Sequence, residues 1–251
     1  ENSLPSHVSH FNMGVDRKEI KVNKSAQVAP VTRSATGCAN PAAQMDISIN
    51  NVRARIFTGG DMWWDLVQGG NSSAQYEVPK GSGKTPLFAG SVWIGGYDGS
   101  GNLKVAAQSY RQSGRCDYFA GPISLASGNP DISASTCNAY DRFWNVTRVQ
   151  VQDFVINGVT TPDILSWPGN GNVANGELPM LAPFEDVNGD GIYNTANGDY
   201  PRYNLTNTYL FDNTCNKLIC DDYIFGDQTL WWVFNDVGNA KTETNSPPIG
   251  I

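Results

Sequence analysis

Histidine is nearly missing from this chain. There are two, His7 and His10, both close to the first residue. A Ser-His-Asp or Cys-His arrangement would need a histidine from the body of the chain, so nucleophilic hydrolysis of that kind is not expected. The five cysteines, at 38, 116, 137, 215 and 220, include no C-x-x-C pair. With so few histidines beside them, the usual zinc ligand sets are not expected either. Charge is sparse at 16% of residues and leans acidic, with 24 Asp and Glu against 17 Lys and Arg. No basic cluster stands out, which argues against a nucleic-acid partner. No run of about 20 apolar residues is present, so no membrane-spanning helix is expected and the chain should be soluble. It opens on Glu1 without a charged, apolar leader, as a mature exported protein would once its leader is removed.

Glycine and aromatics are plentiful, with 26 Gly and 11% Phe, Trp and Tyr among 251 residues. That is the profile of a turn-rich β protein with a rigid aromatic core. The length leaves room for one large all-β domain. The expected fold is mainly β, an antiparallel, sandwich-like domain over residues 46–251 with long loops and little helix. Residues 1–45 hold a single aromatic, Phe11, and too little apolar surface to fold alone. They read as an extended arm or leader, suited to adding a strand to a sheet edge, its own or a neighbour's.

Within 46–251, residues 46–56 alternate with period two and slip at Asn50-Asn51, which predicts one bulged strand. Residues 88–97 and 103–110 flank the turn Asp98-Gly99-Ser100-Gly101-Asn102 and predict a hairpin. Residues 140–154 fit a short helix or a strand. The last strong strand is 226–236; its Trp231-Trp232 echoes Trp63-Trp64 and suggests two paired or facing strands. Gly83-Lys84-Thr85 matches the tail of a phosphate-binding loop. Val78 stands where that motif needs its first glycine, and Pro86 comes where a helix should begin, so this stretch reads as a hairpin turn. The chain stops at Pro247-Pro248-Ile249-Gly250-Ile251, an apolar, strand-like ending that leads us to expect a longer protein.

The most specific chemical signal is Asp186-Val187-Asn188-Gly189-Asp190-Gly191-Ile192, continuing to Asp199. Oxygen side chains stand at alternate positions 186, 188 and 190, a glycine permits the sharp turn, and Ile192 is placed to offer its carbonyl. This is the front half of an EF-hand-type calcium loop. The twelfth position holds Asn197 rather than Glu, and no long amphipathic helix flanks the loop, so a calcium switch is not expected. The expectation is a structural calcium held by Asp186, Asn188, Asp190, the Ile192 carbonyl and Asp199. Without metal the stretch would be an Asx-rich turn. Such a staple should pin the Phe184 segment to the Tyr200-Pro201 segment.

In an exported protein the cysteines read as disulfides. Sequence alone leaves their pairing open; proximity favours Cys116–Cys137 and Cys215–Cys220, with Cys38 left over. Asp61, Asp65, Glu77 and Asp98 are candidates for a glycosidase-type acid pair, but nothing in their spacing sets them apart from solvated loop acids. The chain is therefore not expected to be an enzyme. Seven tryptophans, at 63, 64, 93, 144, 167, 231 and 232, could form a glycan-binding platform or fill the core.

Several stretches resemble the N-terminal regions of large secreted surface proteins of Bacteroidota exported by the type IX system. They include Asn51-Val52-Arg53-Ala54-Arg55, Gly59-Gly60-Asp61-Met62-Trp63-Trp64-Asp65, Tyr76-Glu77-Val78-Pro79-Lys80-Gly81-Ser82-Gly83-Lys84, Phe88-Ala89-Gly90-Ser91-Val92-Trp93-Ile94-Gly95-Gly96, Trp167-Pro168-Gly169-Asn170-Gly171, Ala182-Pro183-Phe184 with the calcium-type loop, and Trp231-Trp232-Val233-Phe234-Asn235-Asp236. The resemblance spans about residues 46–251. It implies a secreted, extracellular or cell-surface location and a longer chain with a C-terminal sorting domain. The expected function is structural or adhesive: a calcium-stabilised β domain in surface or filament-like assembly, self-associating through the arm or sheet edges. A glycan-binding module is the alternative.

Overall fold

The computed structural model describes residues 35, 37–64, 74–97, 101, 103–108, 110, 116–128, 130–202 and 226–237. All lie within one unit, Thr32–Ile251. The fold is mainly β, with antiparallel strands and three short helices among the described residues. No helix among them is long and apolar enough to cross a membrane.

The largest sheet begins with β1 (Gln44–Ile47) and β2 (Arg53–Phe57), paired antiparallel from Gln44↔Phe57 to Ile47↔Ala54. The single bulged strand expected over 46–56 is thus a hairpin. Its slip at Asn50-Asn51 is the turn, where Asn50 Oδ1 accepts the Val52 amide at 2.8 Å. Alternation continued through the turn because two strands of one hairpin share a buried face, which a period-two pattern cannot tell from one strand. The short β3 (Asp61–Met62) and β4 (Tyr76–Glu77) both pair with β2, and β5 (Gly90–Ser91) pairs with β3.

Charges lace this sheet. Asp46 faces Arg55 across the β1–β2 ladder and accepts from its Nε at 2.7 Å and Nη2 at 3.2 Å. Arg53 reaches Asp46 at 3.5 Å and Glu77 at 3.3 Å. Partial burial works to raise the Asp46 pKa, but the guanidiniums of Arg55 and then Arg53 overcome it and hold the carboxyl below its usual 3.8. A depressed carboxylate pKa contributes stability that is complete above the unfolded value and lost as pH falls through the folded one. Asp46→Asn should therefore cost about 1–2 kcal/mol at pH 7 and progressively less below about pH 4. Urea titrations of both proteins at pH 7 and pH 3 check this, and parallel pH profiles would contradict it.

The hairpin expected at 88–110 is present as β6 (Ile94–Tyr97) and β7 (Leu103–Ala106), in register from Tyr97↔Leu103 to Ile94↔Ala106. Residues 90–91 belong instead to β5. Next come β8 (Phe119–Ala120) and helix α1 (Ala134–Tyr140), capped by Ser133. Residues 140–154, ambiguous between helix and strand, contain both. Strand β9 (Trp144–Thr147) runs directly into α2 (Arg148–Asn157). Thr147 is the hinge between them: it ends the strand and caps the helix, exchanging bonds with Gln150 in a capping box. Helix α3 (Pro162–Leu165) comes next, capped by Thr161 with proline in the first turn.

Beyond it lie β10 (Phe184–Glu185), β11 (Tyr200–Pro201), β12 (Gln228–Trp231) and β13 (Phe234–Asn235). Strand β12 pairs with β9, setting Trp231 opposite Trp144, and β13 pairs with β8. The two Trp-Trp dipeptides do not pair with each other. Trp63-Trp64 comes directly after β3, whose ladder partners are β2 and β5. One apolar cluster gathers Trp144, Val146, Val151, Phe154, Ile164, Trp167 and Ala182, with Phe184, Tyr193, Tyr200 and Trp231 against it. A smaller one joins Ile132, Cys137 and Val237.

The disulfide links Cys38 to Cys137. The expected Cys116–Cys137 bond is overturned, and Cys38 is not left over. Sequence proximity misled because residues 37–43 pack beside α1, bringing a distant cysteine nearer than an adjacent one. Asp141, at the end of α1, accepts the amides of Ala42 at 3.0 Å and Ala43 at 3.1 Å and the hydroxyl of buried Thr58. The arm boundary expected at 45/46 therefore falls inside the folded unit. Cys215 and Cys220, and the arm up to residue 34, lie outside the described residues.

Candidate functional site

The loop 186–199 is closed at its base by the β10–β11 ladder, with Phe184 opposite Pro201 and Glu185 opposite Tyr200. The Phe184 and Tyr200-Pro201 segments are thus joined by backbone pairing. Two side chains seat the loop on the domain. Tyr193 donates its hydroxyl to the Ile164 carbonyl at 2.6 Å and sets its ring edge-on to Phe184. Asn170 accepts the Tyr193 amide at 2.7 Å and donates to the Gly191 carbonyl at 2.8 Å. Gly169 allows the approach, since a Cβ there would lie 2.6 Å from that of Tyr193 and 2.8 Å from the Phe184 ring. Burial, and then the negative charge of Asp199, push the Tyr193 phenol well above its ordinary pKa, so it stays a neutral donor.

Within the loop, Asp186 accepts the amides of Gly189 at 2.7 Å, Asp190 at 3.2 Å and Gly191 at 2.7 Å. Gly191 has φ +76°, a left-handed turn that a side chain would strain. Asp190 accepts the Ile192 amide and the Asn188 side-chain N–H, at 2.7 and 2.8 Å. Asp199 is fully buried and grips both ends of the loop through the amides of Val187 and Asn194, each at 2.9 Å. Asp199 thus closes the loop by accepting backbone amides at both ends. Ile192 is exposed.

The loop's candidate donors are of the type calcium takes, although their bonds as they stand are those of an Asx-rich turn. All the candidate donors are hard oxygens, and each carboxylate oxygen pair has room for about four bonds, so none of the three acids is saturated by its amides. Among the described residues no group of three or more His, Cys, Asp or Glu side chains is placed to hold a metal ion. An ion here would draw on the Asn188 amide oxygen and the Ile192 carbonyl as well as on Asp186, Asp190 and Asp199.

The other candidate residues fall elsewhere. Glu77 is engaged by Arg53 and by the amide of Gly83. The amides of Gly81 and Gly83 come first among the causes that hold its pKa below the usual value. The glycine turn therefore cradles a carboxylate of its own chain, which agrees with a hairpin turn rather than a phosphate loop. Asp65 and Asp98 lie outside the described residues. Asp61 is buried, and it lines a narrow cleft with Gly59, Gln108, Cys116, Asp117 and Tyr118. Sequence reasoning passed over Asp117 and Gln108. A usable signal was Gln108 standing in an apolar run beside Ala106 and Ala107, all three of them buried.

Of the tryptophans, Trp144 and Trp167 are buried and Trp63, Trp64, Trp231 and Trp232 half-buried, while Trp93 is 65% exposed. Compared with protein-family models, curated proteins and solved structures, the chain matches none.

Proposed function

We propose that this chain is an extracellular structural or adhesive element, a calcium-stabilised β domain that takes part in surface or filament-like assembly. The observation that carries the reading is the apolar surface on and beside the β6–β7 hairpin. Leu87, Phe88, Trp93, Ile94 and Tyr97 are all exposed. Exposed apolar side chains in one stretch, rather than scattered singly, are the mark of a contact surface. A strand-bearing surface of this kind suits a second copy of the chain. The resemblance to exported Bacteroidota surface proteins supports the location, and the hard-oxygen loop supports calcium.

Sedimentation and negative-stain imaging of the full chain test the assembly. Concentration-dependent oligomers or filaments that Trp93→Ser with Tyr97→Ser abolishes are expected. A chain that stays monomeric at high concentration would sink the idea. The glycan-binding alternative draws on Trp93 and Tyr97, which alternation places on one face about 13 Å apart, with Gly95 between them. A glycan array that responds to the same double variant would favour it.

Calcium at the loop has its own test. At a hundred times its dissociation constant, calcium should stabilise the domain by about 2.7 kcal/mol. The gain should shrink in Asp186→Asn with Asp190→Asn. Equal calcium gains in wild type and double variant would remove the ion from the loop.

A further inference from the structure

Asparagine followed by glycine is the pair most prone to lose its side-chain amide, because no Cβ hinders the glycine nitrogen from reaching the asparagine side chain. The sequence holds five such pairs, with asparagine at 157, 170, 175, 188 and 197. In each the glycine amide is already engaged. Gly158 donates to the Phe154 carbonyl at 2.8 Å, Gly171 to Leu178 at 3.2 Å, Gly176 to Val173 at 2.9 Å and Gly198 to Thr195 at 3.1 Å. Those acceptors are backbone carbonyls fixed by turns. Of the five, Gly189 is the one that donates to a side chain, Asp186 Oδ1, at 2.7 Å.

Other observations also single out Asn188. Both it and Gly189 are exposed, and no neighbouring atom lies within 4 Å of where a Gly189 Cβ would stand. Backbone atoms come to 2.3 Å of that position at Gly171 and 2.4 Å at Gly176, so those turns have no room to swing into a ring. Asn157 reaches back one helical turn to Asp153 at 2.6 Å, away from Gly158. Asn188 Oδ1 accepts the Asp190 amide at 3.3 Å, which polarises Cγ toward attack. What holds the pair inert is Asp186. A carboxylate that accepts the Gly189 N–H favours the protonated amide, and its charge opposes the amide anion that must form first. A side chain turns away at less cost than a backbone turn opens, so this guard is the easiest of the five to lift.

We propose that Asn188 is a self-modification site, converted to aspartate or isoaspartate by its own chain and held back by the Asp186 carboxylate. The Gly189 nitrogen loses its proton and attacks Asn188 Cγ. The N–Cγ bond forms, the Cγ–Nδ2 bond breaks, and the side-chain nitrogen leaves as ammonia with that proton. Water then opens the succinimide ring at either carbonyl. The product loses the donor that Asn188 gives Asp190 at 2.8 Å and sets a new carboxylate beside it. The loop thus gains charge and loses a tie as the protein ages.

The test incubates the full chain in chelator at mildly alkaline pH and follows each Asn-Gly pair by peptide mass mapping, with isoaspartate resolved by its elution. In wild type, Asn188 should convert before the other four, yet more slowly than it does in the same chain in denaturant. Asp186→Ala should speed conversion of Asn188 about tenfold or more, as loss of a bond to a charged acceptor implies, with the other four rates unchanged. Asp186→Asn keeps an oxygen acceptor without the charge and should fall between. The proposal is overturned if another pair converts first in wild type, or if native Asn188 is as fast as in denaturant. It is overturned equally if Asn188 slows or keeps its rate in Asp186→Ala, which would make the carboxylate a base or a bystander. Should all five rates rise together in a variant, that variant has unfolded, and the wild-type comparison decides alone.

Discussion

Cys38→Ser is expected to destabilise the domain by about 4–5 kcal/mol, because the bond it removes joins residues 99 apart. A cross-link of that span removes many unfolded conformations, and its chain-entropy contribution is near the upper end of the usual range. The folded side adds to it. Cys137 is buried in the cluster with Ile132 and Val237, so its release also loosens α1. Denaturant titration of wild type, Cys38→Ser and Cys137→Ser is the measurement, with and without reductant. The two variants should fall together. Reductant should bring wild type to their level, apart from any contribution of Cys215 and Cys220, which neither variant touches. Single variants that unfold at the wild-type midpoint would show that the cross-link carries no stability.

Trp144→Ala should cost about 3–5 kcal/mol, the usual range for truncating a buried tryptophan. The ring is the junction of the main core. It meets Trp231 edge-on at 5.4 Å, takes the Arg142 guanidinium over its face at 4.5 Å, and donates its indole N–H to the Ser166 carbonyl at 2.6 Å. The cavity would open between β9, β12 and α3, where the seats of Phe184 and Tyr193 also lie. Trp144→Phe keeps most of the apolar area but leaves the Ser166 carbonyl without its donor, so an intermediate loss is expected. Urea midpoints rank the three proteins, and near-ultraviolet circular dichroism reports the lost Trp144–Trp231 pairing. Equal midpoints for Trp144→Ala and wild type would remove this core from the account.

The fold class was legible because composition and turn spacing are averages over many residues. The turn at 186–199 was legible because its Asp, Asn and Gly residues are written consecutively, and Asp199 reaches both ends of it over a short stretch of chain. Topology was another matter. Alternation at 46–56 carried the right face and the wrong count of strands, since Asn50-Asn51 as a turn differs from a bulge only in the direction the chain takes afterwards. Thr147 divides strand from helix by one side-chain bond, so residues 140–154 held two answers. The Cys38–Cys137 bond depends on Asp141 gathering the amides of Ala42 and Ala43, a contact spanning about a hundred residues. The Asp61, Asp117 and Gln108 cleft is assembled from three separate segments, and no local pattern announces such a meeting.

The Cys38–Cys137 bond also decides how this domain would answer a pull. Tension applied from the arm side and from beyond α1 would pass from residue 38 to residue 137 through covalent sulfur, bypassing everything between. The chain through β1 to β8 would not transmit that load lengthwise, although β8 stays coupled to β13 through their ladder. The enclosed segment, which fully stretched would reach roughly 350 Å, could not be drawn out while the bond is intact. In the proposed surface role, the domain would lengthen under load only through residues outside that ring.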